Sequence, residues 1–253
     1  MNEHLIDTLL NRRTIRKYSN KIIDDKTIAT ILEAGIRSSN CGNMQIYSII
    51  VTRDEQRKKE LAKFHFNQSM VSEAPVVLTI CADVNRFAKW CKKRNAVTDA
   101  YSNFLWFNIG TVDATIVTQT MCIAAEAMGL GICYLGTVTY MAKEIADFLK
   151  LPKGVIPITT ITMGYPAENP LLTERLAVNA VVHNETYKDY TEEDIEQIYG
   201  EFEQLPQSVE YVKENQQQNL AQVFTNCRYK KDDSLLFGRN YFKFIKEQGF
   251  LDE

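Results

Sequence analysis

Apolar residues recur along the chain with helical spacing in some segments and in continuous runs in others. Two N-terminal segments, residues 3–10 and 24–39, place their apolar residues on one helical face, and an aspartate provides the N-cap of the second. Residues 54–64 and 142–149 predict two further helices. Runs of β-branched, aromatic and apolar residues predict four strands, which are "QIYSIIVTRD", "APVVLTICAD", "GICYLGT" and "VIPITTITMGYP".

Residues 102–128 form the longest predicted helix, and this segment is apolar around most of its circumference. Such a helix is buried along its length. At the standard rise it is roughly 40 Å long, which is more than one core in a chain of this size can surround. We therefore expect a subunit interface to cover part of it, and Gly129 to provide a left-handed cap at its end.

The order of these elements predicts an α+β fold. The strand "APVVLTICAD" is apolar on both faces, so we expect a mixed β-sheet with helices on both faces and the long buried helix at a dimer interface. From about residue 187 the chain becomes polar and rich in Glu and Gln, without a core of its own. We therefore predict a single domain, residues 1–253, with peripheral C-terminal helices over about 187–253.

The composition excludes several classes of protein. With 253 residues, 45% of them hydrophobic, the chain is long enough to bury a sizeable core. A net charge of -3 argues against nucleic acid as the main partner, because phosphate-backbone binding normally requires a basic face. Six cysteines without a CxxC pair are typical of reduced thiols, and we expect a cytoplasmic protein with no signal peptide and no membrane segment. The three histidines lack ligand spacing, so we interpret them as surface or capping residues and expect no metal site.

Three arginines cluster near the start of this acidic chain, and a nearby ligand or a local structure has to account for them. Arg12, Arg13 and Arg16 flank Thr14. Guanidinium groups pair with phosphate oxygens through two hydrogen bonds, and a hydroxyl adds a donor. The alternative is a solvated helix end whose cations offset the helix dipole. We call residues 12–16 the arginine segment.

Two further segments combine small residues with polar groups that suit a flat ligand. The small-residue loop, residues 38–45, contains serine, glycine and amide side chains, and residues 134–137, which we call the tyrosine loop, follow a short strand. Small residues let the backbone approach a flat ligand closely, and amides pair with the edge of a heterocycle. An ordinary surface loop is the alternative for each segment. The signatures GxGxxG, GxxxxGK(S/T), GxSxG and HExxH do not occur in the sequence.

Four blocks, taken together, resemble the nitroreductase family. They are "RRTIRKY", "SSNCGNMQIYSIIVTRD", "AAEAMGLGICYLGTV" and "MGYPAENPLLTERL". Their order and spacing resemble this family over about residues 3–185, and within it they are most similar to the NADPH-preferring nitro/flavin reductase branch. The resemblance implies a homodimer that binds FMN at the subunit interface, so that each flavin contacts both chains.

The resemblance also implies which residues hold the cofactor. The positions that match FMN-binding positions of the family are Arg12, Arg13, Thr14, Arg16, Asn40, Gln68, Tyr134, Leu135, Gly136, Thr137 and Arg175. We expect Arg16 to dominate among the arginines, because its match to the family block is the least ambiguous.

Two departures from the branch concern the anion sites. Thr173 stands where a lysine is usual. The branch holds the NADPH 2′-phosphate with arginines of a C-terminal loop, and the candidates here are Arg228, Lys230 and Lys231. Either NADPH or NADH is therefore expected as the electron donor.

The activity that the resemblance implies is that of an FMN-dependent NAD(P)H oxidoreductase. Hydride passes from NAD(P)H to FMN N5, and a nitroaromatic, quinone or flavin acceptor then takes the electrons in a ping-pong order. FMN carries the chemistry, so no catalytic side chain is expected. A catalytic Cys41 would need a base that the sequence does not place beside it. Two alternatives remain, a flavin-binding module without turnover and a specialised, dehalogenase-like enzyme of the same fold with a different acceptor.

Overall fold

Helices and strands share the chain in the computed structural model, which describes residues 3–251. The strands of this part are β1 (Tyr47–Thr52), β2 (Val76–Asp83), β3 (Gly131–Leu135) and β4 (Val155–Gly164). The helices are α1 (Glu3–Leu10), α2 (Asp25–Ile36), α3 (Glu55–Lys63), α4 (Ser69–Glu73), α5 (Asn85–Lys93), α6 (Phe104–Ala127), α7 (Ala142–Leu149), α8 (Glu192–Gln204), α9 (Pro206–Glu214), α10 (Leu220–Gln222) and α11 (Lys231–Glu247). Helix α10 continues as the π-helical turn Val223–Arg228. Residues 1–2 and 252–253 of the predicted domain lie outside the described residues.

The strands form one antiparallel sheet in the order β1-β2-β4-β3. At the end of β3, Leu135 pairs with Thr160 of β4. Within the described part of the chain, parallel pairing is confined to a bridge between Thr14 and Ile132, so the sheet is mixed only at that edge. β2 is buried along its whole length, as expected of a central strand.

Alternate residues of β2 pack on opposite faces of the sheet, and helices cover each face. Leu78 and Ile80 belong to a core with α2 and α6, in which Val117 and Met121 of α6 are fully buried. Val77 belongs to a second core with α3, α4 and α7. The predicted α+β fold, with helices on both faces of the sheet, is confirmed.

The long helix α6 begins and ends within two residues of its predicted bounds. Asn103 caps its N-terminus by accepting the Trp106 N–H at 3.4 Å. One side of the helix packs on the sheet, but Leu105, Val112 and Ile116 form a stripe on the other side and are 61%, 49% and 36% exposed. One chain therefore buries this helix on one side only, and the side that it leaves in water is apolar. We call these three residues the α6 stripe.

The chain divides into two compact units. The first consists of Met1–Leu171 with Gly238–Glu253, and its described residues include the whole sheet. Phe244 and Phe250, near the C-terminus, are buried in its core. The second unit, Leu172–Phe237, carries α8, α9 and α10. The assignment of the whole chain to one domain stays a prediction.

None of the helices between residues 3 and 251 is both long enough and apolar enough to cross a bilayer. The same residues contain no group of three or more His, Cys, Asp or Glu side chains placed to hold a metal ion.

Candidate functional site

The arginine segment runs along the edge of the sheet beside β3. The backbone N–H of Ile15 donates to the Ile132 carbonyl oxygen at 3.0 Å, next to the parallel bridge formed by Thr14. Gly131 makes this approach possible, because a Cβ at that position would lie 2.5 Å from Ile15 Cγ1. The fold thus holds the arginine segment against the strand that leads into the tyrosine loop.

A carboxylate from the stretch after β4 fixes the backbone of the arginine segment. The N–H groups of Arg16 and Lys17 both donate to Glu168 Oε1, at 2.5 and 3.0 Å. These hydrogen bonds hold the pKa of the Glu168 carboxyl below its usual value, so the group is ionised at neutral pH. The backbone is therefore fixed while the Arg16 side chain is exposed.

The three arginines of the segment have different partners. Arg12 Nε lies 3.4 Å from Oε1 of Glu126, whose side chain is only 8% exposed. Burial raises the pKa of Glu126, and the Arg12 guanidinium opposes this shift, so the two form a pair of compensating charges. Arg13 Nη1 donates to the Asn11 carbonyl oxygen at 3.3 Å, but Arg13 Nε is buried and has no hydrogen-bond partner among the described residues. Arg13 and Arg16 are therefore the guanidinium groups that an anion can engage.

The tyrosine loop includes the last two residues of β3 and lies beside the arginine segment. The Arg16 guanidinium reaches the Cys133 thiol, where it partly offsets the rise that burial causes in the pKa of that thiol. Burial likewise raises the pKa of Tyr134, whose hydroxyl donates to Gln119 Oε1 at 3.2 Å. At Gly136 no atom lies within 4 Å of the place that a Cβ would occupy, so the surface there is open to a ligand.

Thr137 and Gln68 are linked by a residue that sequence reasoning did not select. His65 is fully buried, so its interpretation as a surface or capping residue is wrong. Its Nδ1 lies 2.6 Å from Thr137 Oγ1, and its carbonyl oxygen accepts the Gln68 N–H at 3.1 Å. Leu135, the remaining residue of the predicted set in this loop, is 2% exposed and packs in the core with α3, α4 and α7. No spacing rule joins positions 65 and 137, so only the folded chain identifies the contact.

Asn40 lies in the loop before β1, which is the edge strand opposite β3. Its Oδ1 accepts the Gln45 N–H at 3.2 Å, and the next residue, Cys41, donates its N–H to Asp113 Oδ1 at 2.9 Å. The small-residue loop leads into β1, which is three strand spacings from β3, or roughly 14 Å. Within one chain the fold therefore brings together the arginine segment, Gln68 and the tyrosine loop, and it holds Asn40 apart from them.

Arg175, Arg228 and Lys230 lie in the second unit, and all three are exposed. Arg175 Nη1 donates to the Thr173 carbonyl oxygen at 3.1 Å. Arg228 stacks on the Tyr211 ring, with its Cζ 5.0 Å from the ring centroid. Each of these cations keeps an exposed surface for an anionic ligand.

Comparison with known proteins identifies the family. The sequence pattern described as "Nitroreductase family" matches residues 9–165. The chain belongs to the nitroreductase family. Among curated relatives of this nitroreductase, the "FMN reductase (NADPH)" of Bacillus subtilis (strain 168) is 31% identical over 189 residues, which are 74% of this chain and 76% of the relative. The "NADPH-flavin oxidoreductase" of Vibrio harveyi is 33% identical over 192 residues, which are 76% of this chain and 78% of the relative.

Solved structures extend the likeness of this nitroreductase to nearly the whole chain. A crystal structure from Bacteroides fragilis NCTC 9343 superimposes with a TM-score of 0.96 at 50% sequence identity, and covers 97% of this chain and 100% of that chain. The NADPH:FMN oxidoreductase of Vibrio harveyi, solved in complex with NAD+, superimposes with a TM-score of 0.82 at 26% identity, and covers 99% of this chain and 100% of that chain. The likeness to solved structures therefore extends over residues of both compact units.

Proposed function

We propose that this protein is an FMN-dependent NAD(P)H oxidoreductase of the nitroreductase and flavin reductase type. The observation that carries the proposal is the arginine segment. Among the described residues the guanidinium groups of Arg13 and Arg16 form no salt bridge, and the backbone of Arg16 is fixed beside the open tyrosine loop. The names of curated relatives, which include an FMN reductase, a flavin oxidoreductase and a nitroreductase that use NADPH, support the same activity.

The residues of the first unit suit FMN. A phosphate monoester is an anion that accepts paired hydrogen bonds from guanidinium groups. The buried Nε of Arg13 lacks such an acceptor within residues 3–251, and Thr14 adds a hydroxyl donor beside it. At Gly136 the open surface provides the close backbone approach that a flat ring system needs.

FMN, when bound, would supply the redox chemistry of hydride transfer from NAD(P)H to a nitroaromatic, quinone or flavin acceptor in a ping-pong order. The protein would bind and orient the cofactor. Arg13 and Arg16 hold the phosphate, while Gln68 and the tyrosine loop provide hydrogen-bond donors along the ring system. This assignment requires no proton-transferring side chain.

We further propose a homodimer in which each cofactor contacts both chains. The α6 stripe is an apolar surface, and a second copy that covered it would remove it from water. The same arrangement supplies what one chain lacks, because Asn40 of the partner subunit would complete a site from which the chain's own Asn40 is held apart. A reducing, cytoplasmic location is supported by the six cysteines, which are free thiols.

The exposed cations of the second unit are proposed as anion-binding residues. Arg175 is proposed as a further residue that binds an anion, and Arg228 and Lys230 would bind the 2′-phosphate of NADPH. All three side chains are exposed. A loss of affinity for NADPH, with affinity for NADH retained, in a variant with both Arg228 and Lys230 changed to Ala would test the second assignment.

Reconstitution with FMN tests the proposed function. Purified protein should show the absorption spectrum of bound flavin, and anaerobic NADPH or NADH should bleach it. Arg16→Ala should weaken FMN binding about tenfold or more, the value of one charge-assisted hydrogen bond. Lys17→Ala is the matched control, because Lys17 is an exposed cation next in the chain. Protein that binds no FMN would refute the proposed cofactor, and bound flavin that neither nicotinamide bleaches would identify a flavin-binding module without turnover.

A further inference from the structure

His65 is a buried histidine outside the predicted set of site residues. Its side chain is 0% exposed, and its Nδ1 lies 2.6 Å from Thr137 Oγ1. The turn that contains His65 also carries Gln68, whose N–H donates to the His65 carbonyl oxygen at 3.1 Å. One imidazole therefore joins the turn that carries Gln68 to the tyrosine loop.

The backbone of this turn has an unusual conformation. Phe66 and Asn67, which follow His65, have φ values of 54° and 55°, in the left-handed region that favours glycine. The Asn67 N–H donates to the Ala62 carbonyl oxygen at 2.8 Å and closes the end of α3. A bulky residue in this region persists where the surrounding structure fixes it. The contact between His65 and Thr137 is a tertiary contact that does so.

The position of the imidazole proton follows from burial. Burial lowers the pKa of His65 to about 4, so the ring is neutral at pH 7 and carries one proton. Its Nε2 is buried and has no hydrogen-bond partner in the described part of the chain. A proton on Nε2 would leave a buried N–H donor unpaired, which is rarer in proteins than an unpaired acceptor. The proton is therefore assigned to Nδ1, which donates to Thr137 Oγ1.

This tautomer determines what the Thr137 hydroxyl can do. A hydroxyl has one proton to donate and two lone pairs that accept. Because His65 Nδ1–H occupies one lone pair, the Thr137 proton cannot be given back to His65. Within residues 3–251 the Thr137 hydroxyl makes no other hydrogen bond, and the adjacent Gly136 is exposed. The proton is free for an acceptor outside the protein.

We propose that His65 is a positioning residue that turns the Thr137 hydroxyl into a hydrogen-bond donor toward the bound cofactor. The inference rests on the proposed FMN site, since it assigns the acceptor to FMN. It adds His65 to that site. His65 does not contact the cofactor, but it fixes the position of the Thr137 hydroxyl and makes that hydroxyl a donor.

Nitrogen-15 NMR of the histidine rings tests where the proton lies. In protein labelled at the histidine rings, His65 should show a protonated Nδ1 and an unprotonated Nε2 at about pH 7, with and without FMN. The loss of signals in His65→Asn identifies which resonances belong to His65. A protonated Nε2 would overturn the proposal. Because this readout needs no flavin, it distinguishes failure of the inference from failure of the proposed function.

Matched variants test the consequence for the cofactor. His65→Asn keeps a donor nitrogen close to the position of Nδ1, and His65→Leu removes the donor while keeping most of the volume. FMN affinity, measured by quenching of flavin fluorescence, should fall about tenfold in His65→Leu and in Thr137→Val. It should be largely retained in His65→Asn and in Thr137→Ser, and the double variant His65→Leu/Thr137→Val should lose no more than either single variant.

These measurements distinguish failure of the proposed role of His65 from failure of the proposed function. Unchanged FMN affinity in His65→Leu, or full additivity in the double variant, would overturn the role of His65. Thr137→Val against Thr137→Ser gives the same test without altering the core, so a His65→Leu protein that fails to fold does not remove it. Absence of FMN binding by the unmodified protein would refute the proposed function, while the NMR result would still decide the tautomer.

Discussion

Acid should destabilise this protein through His65. The side chain is fully buried, and burial lowers its pKa to about 4, against about 6.5 in the unfolded chain. Between these two values the unfolded chain binds a proton that the folded chain excludes, so the free energy of unfolding falls as the pH falls from about 7 to about 4. At about pH 4.5 the expected loss is about 2.5 kcal/mol, from about 1.4 kcal/mol for each pKa unit crossed.

Urea unfolding followed by circular dichroism, at a fixed excess of FMN, measures this loss between about pH 7.5 and about pH 4.5. His65→Asn removes the titrating group and leaves every carboxylate in place, Glu168 included. The difference between the pH dependences of the two proteins therefore reports His65 alone. The unmodified protein should lose about 2.5 kcal/mol more than His65→Asn on acidification. Equal losses in the two proteins would refute the assignment of a buried, neutral imidazole.

Three further changes probe contacts of the first unit. Gly131→Ala puts a Cβ 2.5 Å from Ile15 Cγ1. It should lower the free energy of unfolding by about 1–3 kcal/mol, measured by urea unfolding, and weaken FMN binding, measured by flavin fluorescence. Arg12→Ala leaves the largely buried Glu126 carboxylate unpaired and should cost about 2 kcal/mol in urea unfolding, with a smaller loss of FMN affinity than Arg16→Ala causes. Ile116→Lys places a charge in the α6 stripe and should shift the protein from dimer to monomer in analytical ultracentrifugation.

Each of these changes has a matched control. Gly238→Ala lies in a helix with no atom within 4 Å of the new Cβ and should not destabilise the protein. Adding Glu126→Gln to Arg12→Ala removes the unpaired charge and should restore much of the lost stability. Val97→Lys changes another exposed apolar residue, outside the α6 stripe, and should leave the dimer intact. Undiminished stability in Gly131→Ala, no recovery in the double variant, or a persistent dimer in Ile116→Lys would each contradict the corresponding prediction.

Long apolar patterns made most of the fold predictable from sequence. β2 is apolar at nearly every position, and residues 102–128 lack charged residues except Asp113 and Glu126, so few other structures could bury them. The short helices α4 and α5 were missed. α4 has five residues and is too short to show a helical period, whereas α5 carries Phe87, Trp90 and Cys91 at helical spacing and could have been predicted. The antiparallel pairing of the strands was also missed, because pairing direction depends on connections that periodicity does not encode.

Candidate site residues could be selected from sequence, but their partners could not. Arginine clusters and small-residue loops stand out by residue type. Glu126, Glu168 and His65 reach the site from other parts of the chain, and no spacing distinguishes them from other polar residues. The difference between a paired Arg12 and an available Arg13 is therefore a property of the folded chain.

Glu168 also governs when the site can form as the chain is synthesised. Its Oε1 accepts a hydrogen bond from the Arg16 N–H, which lies 152 positions earlier in the sequence. The Ser19 N–H donates to the Tyr165 carbonyl oxygen in a second contact of this kind. The arginine segment leaves the ribosome before these partners, which follow the last strand of the sheet. Contacts of such long range close late in folding. The nascent chain thus carries the arginine segment without its Glu168 anchor until β4 has been synthesised, and the backbone of the proposed cofactor site can be fixed only after that point.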